Sequence, residues 1–341
     1  MSMISRFKLC AANLSAVLLF LLASTLAPQA LAGKPYQHYL VGDATDVTVA
    51  RPLTPGLVLM GGGPDVDAAF RWMIAKSGGG NFVVIRASGT DAYNPYIYAM
   101  GGVSSVETII ISSRTAANDP FVLARIRGAE ALFIAGGDQA DYVNFWQGTG
   151  VQAALEELAG KNIPIGGTSA GLSIMGKYAF TALNGTITSP AALANPYDRT
   201  VTLGRDILAL PDMNGLVADP HFDSRDRLGR LITFMARIFT DGWSGAPRGI
   251  GVDVETALLV DNGVATRVGV GSAYFLQQVT VPEVCKPKTP LTYRNVRTQR
   301  LSGGASFDLR NWANYDGGTV NYSVSAVKGV LSSTQPGGAI Y

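Results

Sequence analysis

Histidine and cysteine are almost missing from this chain: two of each in 341 residues. The cysteines are Cys10 and Cys285, and Cys10 lies in an N-terminal segment that reads as a removable leader. Without that leader no internal disulfide can form, so the fold has to rest on an ordinary apolar core. The histidines, His38 and His221, are far apart, and with one remaining cysteine they exclude the usual zinc spacings. Only an all-carboxylate metal site is left open, and no metal or cofactor is expected. Charge is also scarce, with 27 Lys and Arg against 25 Asp and Glu. No basic cluster interleaved with aromatics is present, so a nucleic-acid partner is not expected. Beyond the leader, no stretch approaches the ~20 apolar residues of a membrane helix.

The leader has three parts in order. Arg6 and Lys8 make a basic start, residues 14–26 are an apolar run, and Ala30-Leu31-Ala32 is a small-residue cleavage site. A signal peptide over 1–32 is therefore expected, with a secreted mature chain (periplasmic or extracellular) that leaves the membrane after cleavage. Pro28 and the cleavage site follow the apolar run at once, which argues against a permanent anchor.

Residues 33–51 read as an extended lead-in. Apolar runs then alternate with helical patterns. Strands are predicted at 57–60, 81–86, 106–111, 131–135 and 162–165, and helices at 65–76, 120–128 and 140–159. Continuous apolar strands separated by helices imply an α/β fold with a parallel sheet covered on both faces. Beyond Gly249 the short runs at 257–260, 264–270 and 279–281 read as antiparallel strands. The division expected is one α/β domain over 33–280 and a β-rich C-terminal extension over 281–341 packed on it.

Loops at the carboxyl ends of parallel strands carry the chemistry of such folds. Four fall there: Gly61-Gly62-Gly63, Ser88-Gly89-Thr90, Gly136-Gly137-Asp138-Gln139 and Gly167-Thr168-Ser169-Ala170-Gly171. The last places a serine between glycines at a strand-to-helix turn, the local form of a nucleophile elbow. A helix N-terminus there would stabilise developing negative charge. The first lacks a glycine at Val66 and fails as a dinucleotide fingerprint. A phosphate-loop look-alike at Gly171-Leu-Ser-Ile-Met-Gly176-Lys177 fails because Tyr178 replaces the magnesium-binding Ser or Thr.

A serine hydroxyl needs a base. His38 lies in the lead-in, so elimination leaves His221, in Asp219-Pro220-His221-Phe222. A helix is expected to follow directly, with a core stripe at Leu228, Leu231, Ile232, Met235 and Ile238. On that helix Asp223 would pair with Arg227, and Asp226 with Arg230, at i, i+4. Arg225 would share a face with His221 and could clamp a substrate carboxylate. Ala170 and Gly137 (or Asp138) are candidate oxyanion donors, and Gln139 is a candidate substrate contact. An acid to orient the imidazole is not evident; Asp198, Asp212 and Asp219 stay open, with capping of the following helix as the ordinary role of Asp219.

Together, Gly136-Gly137-Asp138-Gln139, Gly167-Thr-Ser-Ala-Gly171, Asp219-Pro-His-Phe222 with Arg225-Asp-Arg227 and Gly229-Arg230-Leu231, and Gly249-Ile-Gly-Val-Asp253 resemble cyanophycinase and its relatives. These are serine peptidases that include aspartyl dipeptidases, and the leader resembles their secreted branch. The resemblance implies a flavodoxin-like core akin to class I glutamine amidotransferases, with Ser169 as nucleophile and His221 as base. It implies hydrolysis of cyanophycin, a poly-aspartate bearing arginine on its β-carboxyls, to β-Asp-Arg dipeptides. Gln139, Arg225, Arg227 and Arg230 would then bind substrate, and a homodimer would suit the family. Two departures stand out: Pro220 precedes the histidine, and no acid occupies Ser189-Pro190-Ala191-Ala192, where an orienting glutamate would fall. Either Asp198 substitutes, or the triad is a dyad, or the chain is a weakened relative that binds. Short isoaspartyl or aspartyl peptides are the alternative substrates.

Overall fold

A computed structural model describes residues 33–45 and 52–341; the leader expected over 1–32 lies outside them. The extended lead-in expected over 33–51, of which 46–51 lie outside the described residues, contains an edge strand, β1 (Gln37–Gly42). Then come β2 (Leu57–Met60), α1 (Asp67–Lys76), β3 (Asn81–Arg86), α2 (Tyr93–Tyr98), β4 (Ser105–Ile110) and α3 (Pro120–Arg127). β5 (Ala131–Ile134), α4 (Gln139–Trp146), α5 (Gly150–Gly160), β6 (Ile165–Thr168) and the one-turn α6 (Ala170–Ser173) complete the first half. The single helix expected over 140–159 is two, broken where Gly148 takes φ +68°.

The parallel core has the order β4-β3-β5-β6-β2. Its apolar strands bury both faces, because alternate residues point opposite ways. Leu57 and Leu59 join the cluster packed under α3, α4 and α5, whereas Val58 and Met60 join Phe70 and Met73 of α1. β6 sits three residues later than expected. Its glycines hide it in sequence, yet Gly166 lies against Phe133, Met73 and Val58, where a Cβ would come within 2.7–3.1 Å of their side chains.

The chain next builds a second sheet: β7 (Tyr178–Phe180), α7 (Ser189–Ala194), β8 (Leu203–Arg205), β9 (Leu216–Asp219), α8 (Leu228–Thr240) and β10 (Arg248–Val252). β9 runs parallel to β7 and β10. The hairpin of β11 (Thr256–Asp261) and β12 (Val264–Gly269) returns to the first sheet beside β2. β13 (Ala273–Gln277) forms where 279–281 was expected. The remaining strands, β14 (Tyr293–Leu301), β15 (Ser306–Asp308), β16 (Ala313–Asn314), β17 (Thr319–Val327) and β18 (Val330–Ser333), form no layer of their own. β15 and β16 extend the first sheet beyond β12, and β14, β17 and β18 extend the second beyond β13. Residues 34–341 thus make one compact α/β unit.

Candidate active site

β6 lies between β5 and β2, so the loops following those two strands flank the turn after β6. Ser169 stands in that turn with φ +52° and ψ −116°, a backbone few L-residues adopt. The turn is tight enough to require its glycines. A Cβ on Gly167 would meet Gly171 and Met175 at 2.8 Å, and one on Gly171 would strike the Ile134 carbonyl. Ser169 Oγ lies 2.8 Å from His221 Nε2. His221 comes from the carboxyl end of β9, so the pair joins the two sheets.

No helix follows His221 directly. Residues 221–227 form a turn with His221 at φ +46° and Asp226 at φ +47°, and α8 starts only at Leu228. The expected pairs Asp223–Arg227 and Asp226–Arg230 therefore do not form. Both arginines turn inward to Asp219, which caps no helix and is 2 % exposed. Arg230 Nε and Nη2 donate to the Asp219 carboxylate at 2.8 and 2.5 Å, and its Nη1 to Thr186 Oγ1 and the Ile187 carbonyl. Arg227 Nη1 donates to Asp219 at 3.3 Å and to the Pro220 carbonyl at 2.8 Å. Its Nε and Nη2 find no acceptor among the described residues, so Arg227 keeps donors free although it is buried. Arg225 is exposed, linked to His221 by one isolated bond from its N–H to the His221 carbonyl. The core stripe of α8 is as read, with all five residues buried.

His221 is held by backbone rather than by an acid. Its N–H donates to the Gly61 carbonyl at 2.8 Å. Gly62, at φ +92°, lies against the ring: a Cβ there would sit 2.5 Å from Cε1 and Nε2 and 3.1 Å from Ser169 Cβ. Sequence reading gave this glycine loop no role beyond its place at the sheet edge. Asp253, at the end of a quoted motif, was also passed over. Its carboxylate accepts from the Asp223 N–H at 3.1 Å and the Ser272 N–H at 2.8 Å, bracing the turn, and burial with the nearby Asp223 charge pushes it up to about 7. Gly62→Ala is expected to lower kcat at least ~100-fold in a protein that still folds, because an ångström of displacement between reacting groups costs about that much. Turnover measured beside a thermal melt checks this.

The expected orienting acid is not at the ring. Asp198 accepts from Thr200 N–H and Oγ1 at 2.9 and 2.7 Å. The Ser189 hydroxyl donates to the Asp226 carbonyl and accepts from Arg230 N–H. Among the described residues, Ser169 is the sole side chain hydrogen-bonded to the imidazole. Burial, then the charges of Arg225 and Arg227, push His221 down to about 4, with Asp219 opposing. At neutral pH the ring is therefore uncharged beside a hydroxyl, and in its Nδ1–H tautomer Nε2 can take that proton.

Around Ser169, Gly136 is the near neighbour in the β5 loop: a Cβ there would lie 3.4 Å from Ser169 Cβ. The N–H groups of Ala170 and Gly137 find no internal acceptor among the described residues, and neither does that of Gly62. Asp138 caps α4 through the Ala140 N–H. Gln139 Nε2 reaches the Phe180 carbonyl at 3.4 Å, which leaves its carbonyl oxygen unengaged. His38 is held 2.7 Å from the buried Glu107, in a strand four places from β6 in the sheet order.

A Gly-flanked serine on an α/β sheet edge, paired with a neutral histidine, is the equipment of a serine-type hydrolase. The family model "Peptidase family S51" matches residues 84–268, more than half of the chain, and both Ser169 and His221 fall within it. The chain belongs to that family and is a serine-type peptidase. It is similar to the cyanophycinase of Trichormus variabilis, at 26% identity over 219 residues, which is 62% of this chain and 68% of that protein. It is also similar to the cyanophycinase of Synechococcus elongatus, at 28% over 218 residues, 61% of this chain and 62% of that one. Among solved structures, a peptidase from an acI-B1 Actinobacterium shares the fold with a TM-score of 0.51 at 15% identity, covering 75% of this chain and 97% of that one.

Proposed function

We propose that this peptidase hydrolyses cyanophycin to β-Asp-Arg dipeptides, with Ser169 as nucleophile and His221 as general base. The observation that carries the mechanism is the 2.8 Å contact between Ser169 Oγ and His221 Nε2. Oγ attacks a main-chain aspartyl carbonyl as Nε2 takes its proton, and the N–H groups of Ala170 and Gly137 receive the oxyanion. The imidazolium returns the proton to the leaving amine. Water, deprotonated by the same nitrogen, then cleaves the ester and restores the hydroxyl. Exposed Arg225, with the free donors of Arg227, suits the carboxylates of such a polymer. A complementary cavity of about 540 Å³ lies between Asp65, Asp67, Tyr93 and Tyr96. These residues follow the carboxyl ends of β2 and β3, and acids beside aromatic faces suit a guanidinium. Short isoaspartyl or aspartyl peptides are the second reading, favoured by the same free arginine donors. Secretion through the leader is part of the proposal.

Incubation with insoluble cyanophycin and measurement of released dipeptide tests the substrate; cleavage of free isoaspartyl peptides without loss of polymer would select the second reading. Activity should hold through neutral pH and fall only as pH drops towards about 4, where the base becomes protonated. Arg225→Ala removes the largest charge opposing that proton, so the acid limb of kcat/KM should move up towards 6.5 while KM for acidic substrates rises. A limb that stays in place would show that the guanidinium does not face the ring.

A further inference from the structure

The turn that carries His221 is closed from outside by one distant side chain. α8 begins at Leu228 with Arg227 as N-cap, and no local side chain caps it. The first N–H groups of a helix have no intrahelical acceptor. Here the Leu228 N–H donates to the hydroxyl of Tyr341, 113 residues on, at 2.9 Å. That hydroxyl donates in turn to Asp226 Oδ1 at 2.9 Å. The Tyr341 ring meets Phe222 edge-on with centroids 5.9 Å apart, and Tyr274 at 5.8 Å. Phe222 directly follows His221 and is fully buried, pressed so closely on Gly251 that a Cβ there would come within 2.5 Å of the ring.

One tyrosine thus grips both ends of residues 221–227, through its ring on Phe222, the residue after His221, and its hydroxyl at the start of α8. Between those ends lie two non-glycine residues at positive φ, His221 and Asp226, a conformation that persists only when its surroundings hold it. Asp253 and Ser189 hold the middle of the turn. Tyr341 itself is anchored through Gln335 Nε2 on its carbonyl, and the Tyr322 hydroxyl of β17 holds the preceding Ile340 carbonyl. All of this strut from β14 onward lies outside residues 84–268, the part that matches the family.

We propose that Tyr341 is a positioning residue for His221: the C-terminal strands serve the reaction by fixing the imidazole against Ser169. This rests on the reading of Ser169 and His221 given above. The test compares wild type, Tyr341→Phe, Tyr341→Ala and Ser169→Ala. The measurements are the rate of labelling by a fluorophosphonate as a function of pH, kcat and KM for dipeptide release, and thermal midpoints. Tyr341→Phe keeps the ring and loses both hydroxyl bonds. It should label and turn over about tenfold more slowly, with unchanged KM and a folded fraction that does not account for the loss. Tyr341→Ala should lose more, and if it fails to fold, the Phe variant decides. Labelling and kcat of Tyr341→Phe within about twofold of wild type, or a loss matched by its unfolded fraction, would overturn the proposal. Retained labelling in Ser169→Ala would instead remove the Ser169–His221 reading, so the two failures are distinguishable.

Discussion

Ser169→Ala should lower kcat for dipeptide release by roughly 10⁶-fold, the loss seen when a nucleophile is removed from a working serine site. The substitution deletes one oxygen whose sole side-chain partner among the described residues is His221 Nε2. It leaves the backbone at φ +52° and the Gly167–Gly171 packing untouched. Thermal stability and KM should therefore change little. His221→Ala should cost about as much, because the two groups act as a unit. The Ser169→Ala/His221→Ala double variant should then be slower than either single variant by no more than a few-fold. Multiplicative losses would mean that the two side chains act separately, and the proton-transfer scheme would fall. Among the described residues no carboxylate is hydrogen-bonded to the imidazole, so the residual rate after removing either member would come from the backbone N–H groups and substrate binding alone.

Much of this site was legible because steric demands leave marks in sequence. Gly167 and Gly171 are glycines since a Cβ at either collides with packed neighbours, and that is what makes the pentapeptide recognisable. The strands alternate between two core faces, so their apolar runs betray a parallel sheet. What stayed hidden lacks such marks. The turn at 221–227 has no glycine or proline inside it, and its left-handed residues, His221 and Asp226, are held by distant partners. Read locally, the segment continues the periodicity of α8, which is why Asp223 and Asp226 seemed to pair with Arg227 and Arg230. Within Ser189-Pro190-Ala191-Ala192, where the resemblance implied an orienting glutamate, the Ser189 hydroxyl instead braces the same turn. β1 looked like a loose lead-in because its pairing with β4, and the His38–Glu107 contact, are long-range.

Asp219→Asn should be the most damaging change to folding outside the apolar core. The carboxylate faces two guanidinium groups at a site where its side chain and that of Arg230 are each 2 % exposed. Neutralising it leaves a buried cation without its counter-charge, a loss of about 3–5 kcal/mol. The same change reaches the chemistry. Arg227 Nη1 ties Asp219 to the Pro220 carbonyl, one residue before His221, so the turn would loosen as the ion pair went. The imidazole would also lose the Asp219 charge that favours its protonation, leaving Arg225, Arg227 and Arg230 to push it lower still. Urea denaturation should show the midpoint falling at an unchanged slope. A loss under about 1 kcal/mol would mean that water reaches these charges. Combining Asp219→Asn with Arg230→Met sharpens the test. If the cost lies in the unpaired guanidinium rather than in the lost attraction, the double variant recovers part of the stability that the single one forfeits, since an apolar side chain of similar length needs no counter-charge.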